Sequence, residues 1–193
     1  MTVALERPSI AGEFLVAVQS ETLARALTFV GRAAGWVDAD RSAPCDVVIV
    51  DSIDAVRSAK SRCRILVTDP TPRACRSAVD EVMSGMAHAV VLSDQPDQLA
   101  TALHAVAGGH ATTPSRAIAL AAELPALSDR QERIMRATLA GQTNKQLSRG
   151  LGLSPASIKR ELTDLYRLLG VINRLELAHR AMTLGFGAKR LIG

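Results

Sequence analysis

Ser154-Pro-Ala-Ser-Ile-Lys-Arg-Glu-Leu-Thr-Asp-Leu-Tyr-Arg-Leu-Leu-Gly170 is the stretch that decides how the second half of this 193-residue chain folds. Ser154 followed by Pro155 is a helix start: the serine oxygen takes an orphan backbone N–H, and proline tolerates the first helical position, where no amide is needed. Gly170 falls just past the other end, where a left-handed residue closes a helix. Between them Ile158, Leu162, Leu165 and Leu169 recur at i, i+4, i+7 and i+11, a stripe that packs inward. Ala156, Lys159, Arg160, Thr163 and Arg167 gather on the opposite side, read here as a face without an acid. A small, basic and hydroxylated helix face fits the major groove of duplex DNA, where Lys and Arg reach guanine edges and Thr meets a base or a methyl group. Taken alone, a charged helix face is ordinary solvated surface, so the surrounding pattern has to decide.

The same punctuation repeats on both sides. Ser128–Ala140, Asn144–Leu151 and Arg174–Leu184 read as helices, and Gly141, Gly152 and Gly185 follow their ends. Residues 111–125 (ATTPSRAIALAAELP) read as a linker, with a short helix at 115–123 between Pro114 and Pro125. The first half alternates short apolar runs with helical stretches, the pattern of a parallel sheet with crossover helices. Phe14–Val18, Asp46–Val50, Arg64–Thr68 and Ala89–Leu92 are the strand candidates; Glu21–Ala33, Arg73–Met83 and Asp97–Ala107 are the helices. Gly35–Ala39 is a further strand candidate, but only Asp40–Cys45 separate it from the next run. A parallel crossover takes a dozen or more residues, so the sheet is expected to be trimmed there. The fold class is therefore α/β plus all-α: a truncated doubly wound sheet over residues 1–110, the linker 111–125, and a four-helix unit over 126–193.

Charge divides along the same line. Residues 1–110 carry 10 Lys+Arg against 13 Asp+Glu, net −3, and residues 111–193 carry 13 against 6, net +7, within an overall +4. An acidic unit joined to one that meets a polyanion is implied. With five aromatic residues in all (Phe14, Phe29, Trp36, Tyr166, Phe186), stacking on single-stranded bases is disfavoured against contact with duplex phosphates. Cys45, Cys63 and Cys75 form no C-x-x-C pair and read as small buried residues. His88, His104, His110 and His179 share no i, i+4 spacing, so no metal site is expected. Neither G-x-S-x-G nor a Walker loop occurs, and no catalytic residue or cofactor is expected. No apolar stretch approaches the ~20 residues of a membrane span, and Glu6 and Glu13 bracket the start against a signal peptide. The expected location is cytoplasmic, with no membrane partner.

Residues 127–186 resemble the C-terminal helix-turn-helix domain of LuxR-type transcription regulators. The likeness rests on Leu127-Ser-Asp-Arg-Gln131, Gly141-Gln-Thr-Asn-Lys145, Leu151-Gly-Leu-Ser154, Ser157-Ile-Lys159, Leu169-Gly-Val171 and Asn173-Arg174-x-Glu176-Leu-Ala178. The resemblance implies that Lys159, Arg160 and Thr163 read bases. Thr143, Asn144 and Lys145 open the preceding helix toward a phosphate. Ser154, Ser157, Arg167 and Arg174 are further backbone contacts. Two positions depart from the family: Glu161 stands where histidine is usual, and Leu168 where a basic residue is common.

Residues 13–109 resemble a response-regulator receiver domain, on strand order, Asp46-x4-Asp51, Thr68 ending a strand, and Leu92-Ser-Asp-x-Pro96. The resemblance places Asp51 at the phosphoacceptor position and Thr68 at the switch hydroxyl. The acidic pair that holds Mg²⁺ in that family is Gln19-Ser20 here, the lysine is Ser93, and the switch aromatic is Val90. Magnesium wants several oxygen ligands in near-octahedral geometry, so this is a pseudo-receiver in which Asp51 is vestigial. The chain thus reads as a duplex-DNA-binding regulator of the atypical response-regulator kind, independent of phosphorylation and acting as a homodimer, with the exposed helices of the first half as candidate dimer surface. Two other readings stay open: a regulator gated by a metabolite bound near Gln19, Ser20 and Ser93, and an adaptor that pairs with another regulator.

Overall fold

Runs such as Val47-Val-Ile-Val50 and Ala89-Val-Val-Leu92 carry no polar residue, as strands covered on both faces must not. The computed structural model, which describes residues 12–40, 44–59 and 61–187, places them in a parallel sheet. Its strands are β1 (Glu13–Ala17), β2 (Val37–Asp38), β3 (Val47–Val50), β4 (Cys63–Thr68) and β5 (Ala89–Leu92), in the order β2-β1-β3-β4-β5. The register sets Ala17 against Val50, Val50 against Leu66, and Thr68 against Leu92. β4 and β5 run two residues past the carboxyl ends of β1 and β3, and the residues after all four strands lie along one rim.

Helices α1 (Glu21–Ala33), α2 (Ile53–Ser58), α3 (Pro72–Met83) and α4 (Leu99–Ala107) connect the strands, with a 3₁₀ turn, Pro96–Gln98, leading into α4. The expected helix at Asp97 thus opens in a tighter form. Ser20 caps α1 by accepting from Leu23 N at 3.4 Å, and Ser52 caps α2 by accepting from Ala55 N at 3.2 Å. On one side of the sheet Phe14, Val47, Ile49, Ile65, Val67, Ala89 and Val91 pack with Leu27, Leu99, Leu103 and Val106. Gly31 sits in the last turn of α1, where a Cβ would overlap the Phe14 ring. Across the sheet, Arg57 on α2 donates to the buried Glu81 of α3 at 2.7 Å.

The trimmed side of the sheet is as the spacing demands. β2 has two residues, and the described residues between it and β3 form no helix. Sequence reading passed over α2, which is six residues long and too short to show a period; the Ser52 cap and the Ile53/Val56 spacing were its signal. The cysteines are less sequestered than expected: Cys75 is buried, but Cys45 and Cys63 are half-buried. Desolvation pushes the Cys45 thiol pKa up, with the Asp46 charge adding to it, away from the reactive thiolate.

The chain divides into two units within α5 (Ser115–Ala122), at Ala119–Leu120, with Thr71–Arg73 grouped with the second. The start of the 111–125 stretch is not free chain: Thr112 pairs with the β5 edge, donating to His88 O at 3.0 Å and accepting from Val90 N at 3.1 Å. The second unit contains α6 (Asp129–Leu139), α7 (Asn144–Leu151), α8 (Pro155–Leu169) and α9 (Arg174–Thr183). Its core is Ile134, Met135, Leu147, Ile158, Leu162, Leu165, Leu177, Ala181, Leu184 and Phe186. Gly152 and Gly170 close α7 and α8 at φ +64° each, a conformation that costs other residues a Cβ clash. Among the described residues no helix is long and apolar enough to cross a membrane.

Candidate nucleic-acid interface

The stripe Ile158, Leu162, Leu165 is buried as its spacing requires, which turns the other side of α8 outward. Ala156, Lys159, Arg160, Thr163, Asp164 and Arg167 line a shallow groove along that side. Lys159 and Arg160 have no ion pair or side-chain hydrogen bond among the described residues, so both cations are available to a ligand. The Thr163 hydroxyl donates back to Lys159 O at 2.9 Å, which occupies its proton and leaves oxygen lone pairs and a methyl group.

One expectation needs correction, because the face is not free of acid. Asp164 lies in the groove, 3.8 Å from Arg167, in a pair whose side chains are 46% and 79% exposed. It sits four residues beyond Arg160, about 40° round the helix from it, and that spacing alone could have revealed it.

The caps of α7 and α8 do their own work before any ligand arrives. Thr143 and Gln146 form a reciprocal capping box at the start of α7, where Thr143 Oγ1 accepts from Gln146 N at 3.3 Å. Asn144 and Lys145 follow on its exposed first turn, and Lys145 has no side-chain partner among the described residues. Ser154 Oγ accepts from Ser157 N at 3.1 Å and lies 2.9 Å from Ser157 Oγ, so these two hydroxyls occupy each other. Arg174, at the start of α9, donates to Gln142 O and, at 3.3 Å, to Asn144 Oδ1. It holds the entry of α7 in place rather than standing free for a phosphate. The structure therefore brings Lys145, Lys159, Arg160, Thr163 and Arg167 out as exposed side chains and gives Thr143, Ser154, Ser157 and Arg174 local bonds.

Glu161, at the position where histidine was expected, accepts from Arg130 of α6 at 3.2 Å and is largely buried. This bond fixes the turn of α8 relative to α6, and sequence reading did not anticipate it. Leu168 is exposed, and nearby Ile172 and Leu175 are 83% and 81% exposed.

Side-chain hydrogen bonds tie the rim of the sheet together. Asp51 Oδ2 accepts from Gln19 N at 2.7 Å, which ties the β1–α1 turn to the end of β3. Ser20 caps α1, and Ser93 donates to Asp69 Oδ1 at 3.1 Å. No group of three or more His, Cys, Asp or Glu side chains suited to a metal ion occurs among the described residues. A hollow on this unit lies elsewhere, between Val90, Gln98, Thr101 and the Thr112–Arg116 segment.

Comparison with known proteins agrees with this geometry. Residues 125–181 match the bacterial regulatory proteins of the luxR family. The chain is 39% identical over 87 residues to the transcriptional regulatory protein UhpA of Salmonella typhimurium, covering 44% of each chain. It is 30% identical over 145 residues to the probable transcriptional regulatory protein SgaR of Hyphomicrobium methylovorum, covering 68% of this chain and 67% of SgaR. The matched region thus spans less than half the length of UhpA and about two thirds of SgaR. Among solved structures, RcsB, determined as two dimers bound to two parallel DNAs, superposes with a TM-score of 0.58 at 17% identity, covering 90% of this chain and 98% of RcsB. At that identity the likeness is one of fold: a receiver-like sheet unit followed by a helix-turn-helix unit.

Proposed function

The chain belongs to the luxR family of bacterial regulatory proteins, and from that premise we propose that it regulates transcription by reading duplex DNA with α8, as a homodimer, without phosphorylation of Asp51. It is a regulator and not an enzyme. The observation that carries the reading is the pair of cations, Lys159 and Arg160, that have no side-chain partner among the described residues, beside Thr163 in one groove of a helix whose opposite face is locked into the core. Guanidinium and ammonium groups at such positions reach guanine O6 and N7 in the major groove. Lys145 and the exposed amides opening α7 suit a neighbouring phosphate, which fixes register without reading sequence. The site of action is the cytoplasm, and no cofactor takes part.

Two-fold pairing is supported by the exposed apolar residues of the second unit. Leu175 and Met182 are seven residues apart on one stripe of α9, and Ile172 precedes that helix. A two-fold dimer would cover such a patch with its own copy. Selection from a randomised duplex pool tests DNA reading and pairing together. The expected result is an inverted repeat with half-sites about one helical turn apart. A single half-site would refute the homodimer, and a pool without any motif would refute sequence reading.

Phosphorylation independence is supported by the bonds at the rim. The Asp51 carboxylate is already engaged by Gln19 N, and the positions that would supply magnesium ligands and a phosphate-binding cation are Gln19, Ser20 and Ser93. Asp51→Asn retains an acceptor for Gln19 N. The substitution should leave the affinity for a selected duplex within about two-fold of the native protein, and acetyl phosphate should shift neither. A phosphodonor-dependent gain in the native protein that the variant lacks would overturn this.

A further inference from the structure

The acid in the α8 groove has no structural task that accounts for it. Asp164 is 3.8 Å from Arg167, with the arginine side chain largely in solvent and the aspartate half-exposed, so the pair contributes little to the fold. Among the described residues no hydrogen bond joins its carboxylate to a cap or to another helix, in contrast to Glu161, which is bonded to Arg130. Its position is within the fan of side chains that reach outward, about 40° from Arg160 and in the same groove as Lys159, Arg160 and Thr163. A negative charge there opposes the phosphate attraction that drives sequence-blind binding.

We propose that Asp164 is a specificity-determining residue that selects a cytosine in the major groove. This rests on the reading of α8 as the DNA-contacting helix. The chemistry follows from the base edges. A carboxylate only accepts hydrogen bonds. Guanine presents two acceptors, N7 and O6; adenine presents the acceptor N7 beside its amino group; thymine presents the acceptor O4 and a methyl group. Cytosine alone presents a donor, N4–H₂, with no acceptor of its own beside it. Asp164 therefore finds no donor on guanine or thymine, meets the amino group of adenine only beside the repelling N7, and bonds cytosine unopposed. Weaker sequence-blind binding and sharper discrimination come from the same charge. Arg167, loosely paired with Asp164, is then free to turn to the backbone when the carboxylate engages its base.

The test is parallel selection from one randomised duplex pool with the full-length native protein and with Asp164→Asn. Thermal unfolding shows beforehand that the substitution leaves the fold intact. The native protein should enrich a motif containing a column with about tenfold preference for cytosine. Asp164→Asn should enrich the same motif with that column relaxed or moved to adenine, which asparagine contacts through N6 and N7, and should bind scrambled duplex more tightly. Identical motifs from both proteins would overturn the assignment of Asp164 while leaving DNA reading by α8 intact. No motif from the native protein would overturn both.

Discussion

Lys159→Ala combined with Arg160→Ala reduces affinity for a selected duplex by about 30-fold or more, while leaving the fold unchanged. Each well-made contact to a base edge is worth about 1–3 kcal/mol, so losing two costs at least about 2 kcal/mol, and every 1.4 kcal/mol is a factor of ten. Both side chains are exposed and have no side-chain partner among the described residues. Alanine is also the better helix former, so thermal stability should hold or rise slightly. The signature of reading, as opposed to general attraction, is the comparison with Lys145→Ala. That change should weaken selected and scrambled duplexes alike, because a phosphate contact carries no sequence information. Equal losses from both variants on both duplexes would mean that α8 supplies charge without recognition.

Leu165→Ala acts through the core of the same unit. Leu165 is fully buried, in contact with the side chains that hold α8 on its scaffold. Deleting a buried leucine side chain costs about 3–5 kcal/mol, through lost burial and the cavity left behind. A unit of this size holds only about 4–10 kcal/mol in total, so most of its stability is lost. The chain has one Trp and one Tyr: Trp36 is buried in the sheet unit and Tyr166 lies on α8. Near-ultraviolet signals can thus follow each unit separately. The Tyr166 transition should fall by roughly 12–40 °C at 4–8 °C per kcal/mol, while that of Trp36 moves far less. A fall below about 4 °C at Tyr166, equivalent to less than 1 kcal/mol, would contradict the packing described for α8.

The helical unit was legible almost to the residue because each boundary is written in local chemistry. Ser154-Pro155 and Gly170 mark α8, and Thr143 and Gly152 mark α7, through bonds within four residues. The strands were legible because a parallel sheet covered on both faces leaves an uninterrupted apolar run. What stayed hidden depends on contacts between distant residues. Nothing near Glu161 announces Arg130, thirty-one positions away, and nothing near Gln142 announces Arg174. Helix α2 was too short for periodicity, and Thr112 joins the sheet edge with a sequence that otherwise reads as a turn. Asp164 was legible and overlooked: its angle to Arg160 follows from helix geometry alone. At the rim, the sequence showed which ligands of a phosphorylation site were missing. That Asp51 instead holds Gln19 N could only come from the fold.

Fluorescence anisotropy of the full-length protein on duplex from its own upstream region, against a scrambled duplex of the same composition, tests sequence reading by α8 most directly. Measured at two salt concentrations, the account predicts preferential binding to the upstream duplex that falls steeply with salt, since released counterions drive the phosphate contacts. It also predicts that the Lys159→Ala/Arg160→Ala protein loses the preference while keeping a salt-dependent residue of binding. Equal affinity for the two duplexes, unchanged by the double substitution, would contradict it.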